Sequence, residues 1–441
     1  MKRSFFLVLV LGLGAAGCST RGADEGKIAL SYTRWGDPSE MDSTKELIGQ
    51  FMDENPDIVV RVDVVSWEQY WQKMATAVVT KTAQDVWLMS PAYVEQYAAA
   101  GHLLDLMQFI KADPSFNIDD YFPYAFDSFS FAVKDGELRP APFGQGPLYA
   151  FTRDYNCSLL YYNRDHFDAL GLPYPNESWT WDDIVENAKK LTIDFDGDGI
   201  TDQWGFYSLN YNHFARFNGG RLLDVENRKS TYNSPEVLSA IRFCRDLIYK
   251  YKVHPPPDIQ IEGEAFTTGK ASMTISGVWN IRRFNRSKYL WDITSIPTDT
   301  KGRKRSVVGG GVAHCIYSGT KHPDAAWKLV KFLSDEISQR ELARSGTSVP
   351  VLKKAAYSED YLAPFDRPSK EGQKVIFRNL LTVDPVRTYT RGYLEYSEYA
   401  RNVMQGVWLN VRTPEEACRM IDEKTNQIIA EQYGEKRGQT P

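Results

Sequence analysis

Apolar and polar positions along this chain follow two periods, two and about 3.6, and the periods take turns. Lys27–Thr33 reads as a strand, and Ile58–Val65 (IVVRVDVV) is alternating and β-branched, hence a second strand. Between them Met41–Glu54 sets Leu47, Ile48, Phe51 and Met52 at helical spacing, with Pro56 beyond its end. Trp67–Thr82 reads as a helix, Asp85–Met89 as a short buried strand, and Tyr93–Ala100 as a helix stopped by Gly101. This strand–helix–strand order predicts a parallel sheet with helices on both faces. A second stretch starts at the apolar strand Ser158–Tyr162. Thr180 caps Trp181–Leu191, with Asp182 and Asp183 in its first turn. Ser234-Pro235-Glu236 opens a helix through Tyr251, and His254-Pro255-Pro256-Pro257 breaks the chain. Ala271–Ile275 and Asp292–Ile296 read as strands. Pro323–Ser334 is a helix with Ala326, Trp327, Val330 and Leu333 on one side, and the C-terminal third is helical, including Pro414–Gln432.

A length of 441 residues exceeds one ordinary core and points to two or three domains. The formal charge of −5, with no basic run of note, argues against nucleic acid as a partner. Apolar residues at 42% and charged residues at 25% exclude intrinsic disorder. The 11 Trp, 25 Tyr and 22 Phe are a surplus that suits cores and sugar-binding clefts alike. Five Cys are too few for a disulfide scaffold. Cys157, Cys244, Cys315 and Cys418 sit in apolar periodic segments without CxxC spacing, so buried free thiols are expected, although an exported location permits disulfides.

The first residues read as an address. Lys2 and Arg3 precede the apolar run Phe5–Gly14, which is too short to span a membrane, and Ala15-Ala16-Gly17 follows. With Cys18 directly after these small residues, the segment resembles a bacterial lipobox, with Ala15 where Leu is usual. That resemblance implies cleavage after residue 17, a diacyl group on Cys18 and a polar tether over 18–26. Loss of Lys2 and Arg3 with the leader takes the charge from −5 to −7. The mature protein is then expected to be anchored to an envelope membrane, facing the periplasm or the cell exterior.

Six blocks occur in order: Asp85–Met89 with Tyr97–Leu104; Leu159–Asn163 with Phe167 and Gly171-Leu172-Pro173; Trp179–Asp183 with Ala188–Leu191; Asp196–Gly199 with Asp202 and Trp204-Gly205-Phe206; Ala265-Phe266 with Gly269-Lys270-Ala271, Met273 and Gly277-Val278-Trp279; and Pro323–Trp327 with Phe332, Leu333 and Gln339. Together they resemble the extracellular solute-binding protein family 1, the sugar-binding components of ABC importers, similar to maltose-binding-type proteins. The resemblance implies an α/β, two-lobe periplasmic-binding-protein-like fold of type II, each lobe a largely parallel sheet flanked by helices. It places the first lobe at 27–151 and 296–344 and the second at 156–291 and 349–441. Crossing hinge segments would lie near Thr152–Tyr155, Asp292–Ser295 and Ser345–Ser348. It also implies a carbohydrate in the interlobe cleft, ABC permease subunits as partners, and action as a monomer.

Candidate cleft residues follow. Trp35-Gly36 lies past the first strand, where open α/β sheets receive ligands. Trp279 stands in the Gly-x-Trp block, where such families stack an aromatic on a pyranose; the C–H face of a sugar is apolar and its rim is hydroxyl. The Asn156 amide can donate to and accept from hydroxyls. Gly309-Gly310-Gly311 would expose backbone N–H groups. Met89-Ser90, Tyr207, Asn210, Tyr211, Tyr393 and Arg391 complete the set.

Asp194, Asp196, Asp198 and Asp202 occupy positions 1, 3, 5 and 9 of a calcium-loop pattern, with Gly199 at position 6. Gly205 stands where the bidentate Glu belongs, so the alternatives are a structural calcium site and a solvated turn. No cofactor is otherwise required. Metalloprotease, nucleophile-elbow, phosphate-loop and dinucleotide motifs are absent from the sequence. A paired-carboxylate glycan hydrolase on a surface lipoprotein is the alternative to a binder, because its two carboxylates need not be neighbours in sequence.

Overall fold

The computed structural model describes residues 26–36, 41–122, 125–134, 136–259, 261, 264–300, 309–381 and 389–434. The leader and Cys18 lie outside the described residues. The chain begins with strands β1 (Ile28–Trp35), β2 (Ile58–Val65) and β3 (Val86–Met89) alternating with helices α1 (Met41–Glu54), α2 (Trp67–Val79) and α3 (Val94–Ala99). Helix α4 (Met107–Ala112), a hairpin of β4 (Phe131–Lys134) and β5 (Glu137–Pro140), and the short β6 (Phe151–Thr152) follow. A second unit opens with β7 (Asn156–Asn163), α5 (Arg164–Ala169), α6 (Trp181–Leu191) and α7 (Tyr211–Phe217). It continues through the hairpin β8 (Leu223–Asp224) and β9 (Lys229–Ser230), α8 (Pro235–Tyr249), β10 (Met273–Gly277), α9 (Ile281–Phe284), β11 (Trp291–Thr294) and β12 (Gly309–Gly310). The chain then returns to the first unit as β13 (Ala313–Ile316), α10 (Pro323–Phe332) and α11 (Glu336–Ser345). It ends with α12 (Lys353–Ala356), α13 (Lys370–Leu380), α14 (Tyr393–Trp408) and α15 (Pro414–Gln432).

The first sheet has the order β2-β1-β3-β13-β6. β1 is parallel to β2 and β3, as the strand–helix order predicts, and β13 runs antiparallel to β3 and β6. α1 buries Ile48 and Phe51 against this sheet, with Phe51 meeting Phe332 of α10 at 5.4 Å between ring centroids. The C-terminal ends of β1, β2 and β3 therefore share one edge, the edge at which β13 enters opposite Met89.

The second sheet, β10-β7-β11 with β12 also on β7, departs from the expected parallel arrangement. Every one of these pairings is antiparallel to β7. The cause is topological. β7 runs outward from the crossing, whereas β10 and β11 run back toward it and are linked over β7 through α9. All eight residues of β7 are buried, which explains its continuous apolar run.

The crossings themselves are close-knit. Thr152 ends β6 of the first sheet and Asn156 begins β7 of the second, so the first crossing spans the residues between them. The third follows α11, with Tyr155 N–H donating to the Val349 carbonyl. The second lies later than Asp292–Ser295. Thr298 bridges Thr180, β12 pairs with Cys157 and Asn156, and only β13 joins the first sheet, so the change-over falls at residues 310–313 rather than before Ile296. Asp154 ties the segments: its Oδ1 accepts from Val312 N–H and from Asn156 Nδ2, both at 3.0 Å. Gln339 of α11 donates to the Arg153 carbonyl and accepts from Val351 N–H, each at 2.9 Å. Burial pushes the Asp154 carboxyl up, and Arg153, at 2.6 Å, opposes that shift.

Cys157, Cys244, Cys315 and Cys418 are free and buried, as their apolar surroundings suggest. Burial pushes all four thiols up, Cys418 to about 12, so they stay protonated and unreactive at neutral pH.

Candidate functional site

Aromatic side chains gather at the strand ends of the first unit and beside α7 and α14 of the second, and a contact between Tyr93 and Tyr393 joins the two walls. On the first unit, Trp35 at the end of β1 is half-buried. It packs edge-on against Trp67 and Tyr70, at 5.0 Å each, and tilts onto Trp71 at 5.6 Å. Trp67, at the start of α2, stays 44% exposed and extends the wall. Trp71 stacks on Tyr93 at 3.7 Å, and Tyr93 reaches Tyr393 of α14 at 5.8 Å. Gly36 is fixed at the wall's edge by its N–H bond to the Val65 carbonyl. Met89, expected beside them, is 0% exposed and belongs to the core, because β3 is covered on both faces. The Ser90 hydroxyl is nearly buried and accepts from Ala92 N–H in its own turn.

On the second unit, Asn210, Tyr211, Tyr232, Tyr389, Tyr393 and Trp408 line a pocket of about 430 Å³. The structure thus gathers three of the expected residues, Asn210, Tyr211 and Tyr393, and adds Tyr232, Tyr389 and Trp408. The Asn210 side chain caps α7 by accepting from His213 N–H. Tyr211 meets the Tyr232 hydroxyl at 3.4 Å, and burial pushes its phenol up to about 12, so it donates and accepts as a neutral group. Tyr207 lies apart, stacked on His254 at 5.2 Å.

Trp279 is 51% exposed just past the end of β10. Gly277 pairs with Ser158, two residues into β7, so this end of the second sheet points to the crossings. The indole ring lies flat on Gly277, where a Cβ would sit 2.1 Å from it. This is the physical content of the Gly-x-Trp spacing: the glycine clears a bed for the ring.

Asn156 is corrected. It is 7% exposed, and its amide is spent on Asp154, Ser348 and Val349, so it stitches the crossings instead of facing a ligand. Gly309 and Gly310 form β12 and pair with β7. Gly311 is a glycine because the Asp154 carbonyl would lie 1.6 Å from any Cβ there. Arg391 pairs with Glu95 of α3 at 3.3 Å, Tyr433 donates to Glu95 at 2.5 Å, and Arg228 meets Glu137 at 2.6 Å, so charged groups of the second unit clasp the first beside the aromatic walls.

In the aspartate loop Asp194, Asp196 and Asp202 converge, with carboxylate oxygens within 4.8 Å of one another. Asp198 does not join them; it turns to accept from Ile200 N–H at 2.7 Å. Asp194 accepts from Gly199 and Gly197 N–H, and these amides hold its carboxyl below the usual range.

Two Ser–His pairs lie on the second unit, Ser158 with His213 at 2.8 Å and Ser272 with His166 at 2.9 Å. Ser158 and His213 are buried, and burial pushes the imidazoles of His213 and His166 down to about 4, so both are neutral at pH 7.

The profile of the bacterial extracellular solute-binding proteins matches residues 35–340. This chain belongs to that family. Its members are exported binding proteins. A putative binding protein of Brucella abortus (strain 2308) is 22% identical over 395 residues, spanning 87% of this chain and 89% of that one. An ABC substrate-binding protein of Listeria monocytogenes, solved in complex with cycloalternan, superposes with a TM-score of 0.78 at 23% identity, covering 93% of this chain and all of the other. A solute-binding protein of Thermotoga lettingae, bound with α-D-tagatose, gives 0.75 at 23% identity over 91% of this chain and 100% of that one. These likenesses show the two-lobed type II fold of solute-binding proteins for this chain.

Proposed function

We propose that the protein captures a carbohydrate between its lobes and delivers it to an ABC permease. The carrying observation is Trp279, a half-exposed indole bedded on Gly277 at the end of β10 nearest the crossings. A flat apolar face with hydroxyl- and amide-bearing neighbours suits a pyranose. The sugars bound by the Listeria and Thermotoga proteins support this reading, as does the galactooligosaccharide-binding protein of Bacillus subtilis, 23% identical over 220 residues, 47% of this chain and 50% of that one. Closure would bury the ligand between the two walls, and contacts from both lobes favour the closed state. The test is a thermal-shift and tryptophan-fluorescence titration over mono- and oligosaccharides. Saturable quenching with intact sugar recovered is expected; released hydrolysis products would instead support the glycan hydrolase.

Lipid anchoring through Cys18 is part of the proposal, supported by the leader pattern and by membership of an exported family. Cys18→Ser should move the protein from the membrane fraction to the soluble one, and unchanged fractionation would remove the anchor. A calcium ion held by Asp194, Asp196 and Asp202 is the third part; three hard oxygen donors within reach of one another fit Ca²⁺. Millimolar calcium should raise the melting temperature, through binding to the folded state only, and a flat response would assign the loop to a solvated turn.

A further inference from the structure

The first sheet has two faces at its crossing end, and only one belongs to the aromatic wall. Trp35 packs toward Tyr70 and Trp71 of α2. Tyr32 and Arg34, one residue out of phase, point to the opposite face. There a second pocket of about 470 Å³ lies between α1, α11 and α9. His314 of β13 lines it, 5.8 Å from the Tyr32 ring.

His314 is 1% exposed, and neither of its ring nitrogens has a hydrogen-bond partner. A buried imidazole left without partners is destabilising unless something binds it. Around it the charge is lopsided. Arg34, Arg153, Arg282 and Arg344 line the pocket, against Glu341. Arg153 is paired with Asp154, and Arg344 with Asp360 and Glu341. Arg282, half-buried on α9, makes no ion pair with a described carboxylate. Ser43 and Thr44 bring the first turn of α1, a fourteen-residue helix, to the same space.

We propose that this pocket binds a small oxyanion, held by Arg282 and His314 at the N-terminal turn of α1. Burial and the neighbouring Arg153 and Arg34 hold the imidazole far below its ordinary range, so it is neutral. A neutral imidazole donates from one nitrogen and accepts at the other. It therefore suits an anion that also carries an O–H, such as hydrogen phosphate or a hydroxy acid. Arg34 and Thr44 come from the first lobe, Thr347 from a crossing and Arg282 from the second lobe, so the pocket that holds the anion is lined from both lobes and from a crossing. The site lies across the first sheet from Trp35, in a pocket that Trp279 does not line.

The experiment uses the processed protein without added calcium, at constant ionic strength balanced with chloride. Sodium phosphate should raise the melting temperature saturably. Arg282→Gln, at a half-exposed position, should leave the phosphate-free melt unchanged and weaken phosphate about tenfold or more. Galacturonate and galactose form the second arm. An Arg282-dependent gain for galacturonate alone supports the same pocket, with the anion carried on a sugar. A phosphate and galacturonate response that is absent, or equal in Arg282→Gln, overturns the site and leaves His314 to an enclosed water. Neutral-sugar binding at Trp279 is read separately by fluorescence, so failure here is distinguishable from failure of the carbohydrate reading.

Discussion

Trp279→Ala is expected to weaken carbohydrate binding about thirtyfold or more while the unliganded protein melts within about 2 °C of wild type. The two halves of that expectation have one cause. A side chain 51% exposed contributes little to the fold, yet the same exposed face is what a pyranose would cover. Calorimetric titration with the strongest ligand of the sugar panel reads the first half and a thermal melt the second. Unchanged affinity would move the cleft away from Trp279, most simply to the pocket between Tyr211 and Tyr393.

Gly311→Ala should have the largest effect on stability. The new methyl would sit 1.6 Å from the Asp154 carbonyl oxygen, and backbone cannot swing aside as a side chain can. The second crossing must part from the first, stretching the bond from Val312 N–H to Asp154. A loss of about 3 kcal/mol or more is expected, seen as a melting temperature lower by roughly 3 °C or more. Gly49→Ala in α1 is the control, because a Cβ there meets nothing within 4 Å and alanine favours the helix. Equal melting of the two variants would mean that the crossings do not limit the fold.

Elements with strong periods and marked ends were legible in the sequence. The bounds of α1, β2, α6 and α15 coincide with those read from the chain, each set by a cap or a proline. Strand direction in the second sheet was not legible, because alternation and apolar runs report burial and carry no sign of direction. The second crossing was missed for a related reason. β12 is two glycines long, and its partner on β7 lies some 150 residues earlier, beyond any local signal. The site divides the same way. Trp279 announces itself through Gly277, two residues before it. Met89 and Asn156 sit at strand ends as a ligand group would, but facing is settled by distant partners such as Val349. Tyr232 and Trp408 join Tyr211 from far along the chain, with no local signal connecting them.

The stitching of the crossings has a mechanical consequence. Asp154 bonds to Val312, Asn156 to Val349, and Gln339 to both Arg153 and Val351, so the three connections lie side by side as one narrow ribbon. Bending about a line across the ribbon keeps these bonds, whereas sliding one connection past another would break them. Rotation about that line is the motion these bonds permit, and a longer or shorter guest would stop it sooner or later.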